Sequence, residues 1–184
     1  FSPFMVHAQP ISPALVGSNV WINPGDAQWA TLTQVGVKMM RIGGHAYDKN
    51  MPFDNTLMNW ITEIKNMGAE PLIQVSKYGD DPAAEAARLV KLFNVDNPKY
   101  YVKYWGIGNE PWLQAGKPDF EEITEEIEGY FKTIAPQMKA VDPTINIFGP
   151  NMCYYEKQVY ESLFGGSNDI AGKIPGKDYY YTDG

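Results

Sequence analysis

The chain has 184 residues, 44% hydrophobic and 20% charged, which suffices for one domain with a real core and is ordinary for a soluble globular protein. With 15 basic and 22 acidic residues the formal charge is −7, and no basic cluster occurs, which argues against a nucleic acid or other polyanionic partner. No stretch reaches the roughly 20 apolar residues of a membrane span, so no membrane association is expected.

The N-terminus, Phe1-Ser2-Pro3-Phe4-Met5-Val6-His7-Ala8-Gln9, resembles the tail of a secretory signal. Val6-His7-Ala8 has a small-residue cleavage pattern, so residues 1–8 read as a possible signal remnant and the protein as secreted or periplasmic. A disordered or packed tail is the other reading. The first strand then runs from Leu15 to Asn23, and a helix capped by Asp26 from there to Val35. Val37 to Gly43 is the second strand, with Val37, Met39 and Arg41 on one face and Met40 and Ile42 on the other.

Leu57, Trp60, Ile61, Ile64 and Met67 give an amphipathic helix over 55–67, ended by Gly68. Glu70 to Ser76 is the third strand. Asp81-Pro82 opens the next helix with a cap and a first-turn proline, and Ala86, Leu89, Val90 and Phe93 form its buried stripe. Lys103 to Asn109 is the fourth strand. A long helix follows from Phe120 to Met138, where Pro136 is expected to kink it or end its regular part. Its Glu121-Glu122 and Glu125-Glu126 run reads as a solvated face. Ile145 to Gly149 is the fifth strand and Tyr155 to Phe164 a fifth helix. A sixth strand should begin near Tyr179-Tyr180-Tyr181.

This alternation predicts an α/β chain with a parallel sheet and crossover helices. Two architectures fit: an open doubly wound sheet and a closed (β/α)8 TIM barrel. Residues 17–25 hold only Gly17 and Gly25, without the Gly-rich fingerprint of a dinucleotide fold, and no phosphate-binding loop occurs. A barrel typically takes about 250 residues. Only about the first five β/α units are therefore expected here, with residues 9–184 as the N-terminal part of a barrel.

Nothing in the sequence calls for a cofactor. The lone cysteine, Cys153, can form no internal disulfide; His7 and His45 are far apart, and no metal-type spacing exists. Cys153 reads as buried and inert.

On the parallel reading, polar groups collect at the C-terminal strand ends. The first end offers Asn19, Trp21 and Asn23, and the second Arg41, His45, Tyr47 and Asp48. The third offers Gln74, Ser76, Lys77 and Tyr78. The fourth offers Asn109, Glu110 and Trp112, and the fifth Asn151, Tyr154 and Tyr155. Amides, charges and aromatics of this kind hydrogen-bond sugar hydroxyls and stack on sugar rings. The 14% aromatic content, with 12 Tyr and 5 Trp, also suits ordinary core packing. Asn109-Glu110-Pro111 closes a buried, glycine-spaced run. A carboxyl group at such a strand mouth, with Trp105 and Trp112 nearby, is suited to protonating a glycosidic oxygen.

Tyr104-Trp105-Gly106-Ile107-Gly108-Asn109-Glu110-Pro111 resembles the fourth-strand signature of the large clan of retaining TIM-barrel glycoside hydrolases. Gly36-Val37-Lys38-Met39-Met40-Arg41-Ile42-Gly43-Gly44 is similar to their second strand. The Arg-Ile-Gly-Gly form resembles the branches holding heparanase-like glucuronidases, some endoglucanases, arabinofuranosidases and xylosidases, and red-algal galactan hydrolases. Val141-Asp142-Pro143-Thr144 fits the same pattern, so the resemblance spans roughly residues 14–155.

The resemblance implies a glycosidase with Glu110 as the catalytic acid/base. Asn109 would bond the sugar 2-hydroxyl, and Arg41 would orient the nucleophile and keep it ionised. His45, Trp112, Trp21, Asn151 and Tyr154 are the further candidates for substrate contact. The family's nucleophile lies on its seventh strand, which implies that it falls beyond residue 184 and that this chain alone is inactive. Glu110 has a plainer reading, as a strand-end carboxylate capping a helix or pairing with Arg41. Two other functions stay open. One is a non-catalytic carbohydrate-binding or degenerate barrel. The other is a half-barrel that self-associates, or assembles with its missing C-terminal half, through open edges.

Overall fold

The computed structural model describes residues 12–20, 22–111 and 119–184. Five parallel strands form one sheet in the sequential order β1-β2-β3-β4-β5. They are β1 (Gly17–Val20), β2 (Met39–Ile42), β3 (Glu70–Val75), β4 (Tyr104–Ile107) and β5 (Asn146–Phe148). The helices are α1 (Asp26–Gln34), α2 (His45–Lys49), α3 (Asp54–Asn66), α4 (Pro82–Val90), α5 (Phe120–Val141) and α6 (Lys157–Leu163).

Strand order separates the two architectures. A doubly wound sheet reverses direction at a switch point, whereas a barrel adds each strand beside the last. Here the order never reverses. Asn19 pairs with Arg41, Arg41 with Leu72, Leu72 with Tyr104 and Tyr104 with Asn146, so these five residues form one layer across the sheet.

Each strand buries its helix-facing side. Met40 and Ile42, Ile73 and Val75, Trp105 and Ile107, and Ile147 join one core with Leu57, Ile61 and Ile64 of α3, Leu89 of α4, and Ile127, Phe131 and Ile134 of α5. A side chain of this size contributes about 1.5–3 kcal/mol when fully buried. Such packing fixes the opposite, polar side of the strands.

Local departures have local causes. The first strand is shorter than its polar pattern suggests, because Pro13–Leu15 turn as a 3-10 segment. Gly25, not Asp26, caps α1, and its N–H donates to Gln28 Oε1 at 2.5 Å. Asp81 caps α4 as expected, accepting from Ala84 N at 2.9 Å. α5 runs through Pro136 to Val141. The proline removes one amide donor, but Ile134, Ala135 and Met138 are buried around it and hold the helix in place. Cys153 is exposed rather than buried, because it lies on the loop between β5 and α6. Glu126 is not simply solvated, since it pairs with the buried Lys77 at 2.5 Å.

Beyond α6 the chain returns to β5. Asp183 N donates to Ile147 O at 2.7 Å, Gly149 N donates to Gly184 O at 3.3 Å, and Thr182 Oγ1 donates to Ile147 O at 3.0 Å. Asp183 also accepts from the buried Lys139 at 2.8 Å. Residues 182–184 thus run along the outer edge of β5, where a next strand would lie. No helix among the described residues is long and apolar enough to cross a membrane. Residues 1–8 lie outside the described residues.

Candidate active site

Gly108 and Glu110 shape the mouth of β4. Gly108 has φ +67° and Glu110 φ +40°, so the chain turns sharply as it leaves the strand. Glycine adopts this region freely, whereas a glutamate there is strained and must be held by its surroundings. Asn151, after β5, holds it. Its carbonyl accepts from Glu110 N at 2.9 Å, and its Nδ2 donates to Gly108 O at 2.8 Å. A Cβ on Gly106 would stand 2.7 Å from Asn151 Nδ2, so the glycine spacing of β4 makes room for that amide.

Arg41 comes from β2 in the layer beneath. Its Nη2 donates to Asn109 Oδ1 at 2.7 Å and to Gln74 Oε1 at 2.5 Å. Asn109 Nδ2 then reaches Glu110 Oε2 at 3.3 Å. Gln74 Oε1 also accepts from Gly44 N at 2.8 Å. Gly43 permits this crowding, since a Cβ there would stand 2.6 Å from Gln74 Oε1 and 2.9 Å from Arg41 Nε. The Arg41 Nη1 contact to Asn19 Oδ1, at 3.5 Å, is long for a hydrogen bond and leaves donor capacity on that edge. Burial lowers the Arg41 pKa, and the Glu110 and Asp48 carboxylates oppose that shift, so the guanidinium stays charged.

Asp48 on α2 is 1% exposed. Gln74 Nε2 donates to its Oδ1 at 3.2 Å, and Asn109 N to its Oδ2 at 3.0 Å. Burial pushes its carboxyl pKa up, against the Asn109 amide, the Lys77 charge and the Gln74 amide, which favour the ionised form.

Arg41, Asn109 and Glu110 border an open cleft of about 470 Å3, whose lining also includes Asn19, Gly44 and His45. Glu110 is the one acid among its described lining residues. A neighbouring apolar groove between β1 and α1, about 320 Å3, is lined by no acid among the described residues.

Four sequence candidates, Arg41, His45, Asn109 and Glu110, therefore share one cleft. His45 is exposed and opens α2, a short helix of five residues. Asn151 stands behind the cleft as a backbone anchor, and Tyr154 is exposed on the following loop, 46% accessible. Trp21 and Trp112 lie outside the described residues. Trp105 does not flank the acid. It is fully buried on the helix side of β4, stacked on Phe93 at 6.4 Å. Gln74 and Asp48 were visible only as strand-end polar groups. Gln74 shares the inner face of β3 with Leu72, a period-2 signal that could have singled it out.

No protein-family profile matches the sequence, and no curated protein matches it. Solved structures do. A bifunctional glucanase-xylanase from a metagenome library matches with TM-score 0.55 and 16% identity, over 86% of this chain and 47% of that one. A Paenibacillus polymyxa xyloglucanase of glycoside hydrolase family 44 matches with TM-score 0.53 and 14% identity, over 94% and 47%. A monomeric β-xylosidase from Caulobacter crescentus matches with TM-score 0.57 and 14% identity, over 80% and 38%. The fold is that of part of a TIM barrel. At these identities the likeness speaks for the fold. The chain spans less than half the length of the solved structures it matches.

Proposed function

We propose that this chain supplies the acid/base half of a secreted retaining glycoside hydrolase acting on a polysaccharide or derived oligosaccharide. The observation that carries the reading is the linked trio Arg41–Asn109–Glu110 on one cleft at the C-terminal side of the sheet. The strained backbone of Glu110 adds support, because such strain collects at functional sites.

In this reading Glu110 gives its proton to the glycosidic oxygen while a second carboxylate attacks the anomeric carbon. A covalent glycosyl-enzyme forms and the alcohol leaves. Glu110, now a carboxylate, takes a proton from water, which breaks that bond and releases the sugar with its configuration retained. Asn109 Nδ2 is placed to bond the sugar hydroxyl next to the reacting carbon. The open Nη1 edge of Arg41 suits the second carboxylate, which retention requires about 5–5.5 Å from the first. Asp48 is not that group, since it is buried and both its oxygens are engaged. We place the second carboxylate outside these 184 residues.

The test is titration of the 184-residue chain with cello- and xylo-oligosaccharides, alongside an aryl-glycoside assay. Saturable binding that perturbs Asn109 and Glu110, without hydrolysis, is expected. Hydrolysis by this chain that persists in Glu110→Gln would sink the assignment. A second reading, sugar binding without cleavage, is favoured by Glu110 being the one acid among the described lining residues. It predicts binding that survives Glu110→Ala and no hydrolysis in any longer chain. Either form gains from covering the β1 edge, by a second copy or by further chain.

A further inference from the structure

The cleft is wired to a buried carboxylate, Asp48, that is not among its lining residues. A carboxylate only accepts hydrogen bonds, so every group facing Asp48 must donate. Gln74 therefore turns its Nε2 toward Asp48 Oδ1, at 3.2 Å, and its Oε1 toward Arg41 and Gly44. The Arg41 guanidinium and the Gly44 N–H only donate, and Gly44 O accepts a long contact from Nε2 at 3.5 Å, so both sides of Gln74 demand the same orientation and its amide cannot flip without breaking bonds at each end. Arg41 Nη2 bridges Gln74 Oε1 and Asn109 Oδ1. With its oxygen thus engaged, Asn109 turns its Nδ2 outward beside Glu110, which it reaches at 3.3 Å. Asp48 also grips Asn109 directly through the backbone N–H, at 3.0 Å. It holds both ends of one residue, by one direct bond and by a relay through Gln74 and Arg41.

We infer that Asp48 is a positioning residue that fixes which way the Asn109 side-chain amide faces, so that the cleft presents a donor to a sugar hydroxyl. The ligand class rests on the function proposed above, whereas the relay itself does not. An ordinary buried carboxylate, kept only for its charge opposite Lys77, would not depend on the orientation of Gln74.

The relay predicts a specific rescue. Asp48→Asn offers one acceptor oxygen where the Asn109 N–H, the Gln74 Nε2 and the Lys77 backbone N–H all donate, so an NH2 group must confront a donor. Gln74→Glu sets two carboxylates face to face in a buried space. Together the substitutions are complementary again. The amide introduced at 48 donates to the carboxylate at 74 and accepts from Asn109 N, and that carboxylate accepts from Arg41 and Gly44.

The experiment makes both single variants and the double variant in the 184-residue chain. It records the Asn109 side-chain amide resonances by NMR, the affinity for xylo- and cello-oligosaccharides by calorimetry, and the melting temperature. Each single variant should move the Asn109 amide signals and weaken binding about tenfold or more, the scale of one mismatched buried hydrogen bond. The double variant should restore the signals and bring affinity back to within about threefold of the original. Unchanged Asn109 signals in the single variants, or a double variant worse than either, would overturn the relay. If a single variant does not fold, the double variant decides: recovered folding with the original signals supports the relay, and altered signals refute it. If the unaltered chain binds no oligosaccharide, the proposed function fails while the Asn109 signals still judge Asp48.

Discussion

Arg41 and Asn109, 68 positions apart, meet through a hydrogen bond of 2.7 Å from Nη2 to Oδ1, and that bond ties the end of β2 to the acid at the end of β4. The same Nη2 serves Gln74, so the guanidinium works as a planar bridge rather than a point charge.

Arg41→Lys should therefore not be conservative. An ammonium keeps the charge but cannot reproduce the fork. We expect a stability loss of about 1–3 kcal/mol by urea unfolding and weakened oligosaccharide affinity. Unchanged stability together with unchanged affinity would show that the bridge is incidental.

Gly43→Ala tests the crowding behind that bridge. The new methyl would stand 2.6 Å from Gln74 Oε1 and 2.9 Å from Arg41 Nε, and Gln74 is held by bonds on both sides. Something must shift, at a cost of about 1–3 kcal/mol. Chemical denaturation gives the cost, and NMR shifts at Asn109 show whether the disturbance reaches the cleft.

Tyr130→Phe tests the opposite case. The Tyr130 hydroxyl is buried without a hydrogen-bond partner among the described residues, and its ring packs on Phe131 at 5.3 Å beside the Lys77 ammonium. Removing the oxygen keeps the packing and relieves an unsatisfied group. Stability should stay within about 0.5 kcal/mol or rise slightly, and a loss above about 1 kcal/mol would reveal a bond that the hydroxyl makes.

Asp48 sets a pH dependence with a definite sign. Burial raises its folded pKa above the ordinary value of 3.8, so protonation favours the folded state. The stability that it contributes is full below the ordinary value and is lost as pH rises through the raised one. Urea unfolding of the unaltered protein and Asp48→Asn across that window should show the unaltered protein losing ground as pH rises, then a constant difference to neutrality. A difference that grows in its favour with rising pH would mean a carboxyl stabilised in its charged form.

Much of the fold was legible because apolar periodicity is local. The stripes of Leu57, Trp60, Ile61 and Ile64, and of Ile123, Ile127, Ile134 and Met138, are the buried faces of α3 and α5. Strand order was not legible, since alternation suits both a wound sheet and a barrel, and only the pairing of each strand with its predecessor decides. α2 was missed because His45–Lys49 is too short to display a stripe. The link from Asp48 to Asn109 joins positions 61 apart, and no local pattern announces it. Pro136 does not end the helix, because a proline's missing donor is a local cost, while the packing around Ile134 and Met138 that outweighs it is not local.

The central claim is that Glu110 protonates a glycosidic oxygen. It is tested most directly in a chain extended to supply the second carboxylate that the proposal requires, by comparing Glu110→Gln with the unaltered sequence on substrates of differing leaving-group basicity. The account predicts a loss of about 10²–10⁴-fold for poor leaving groups, a much smaller effect on bond cleavage for activated aryl leaving groups, and partial recovery with added azide. Equal activity on poor leaving groups, or a loss independent of leaving group, would contradict it.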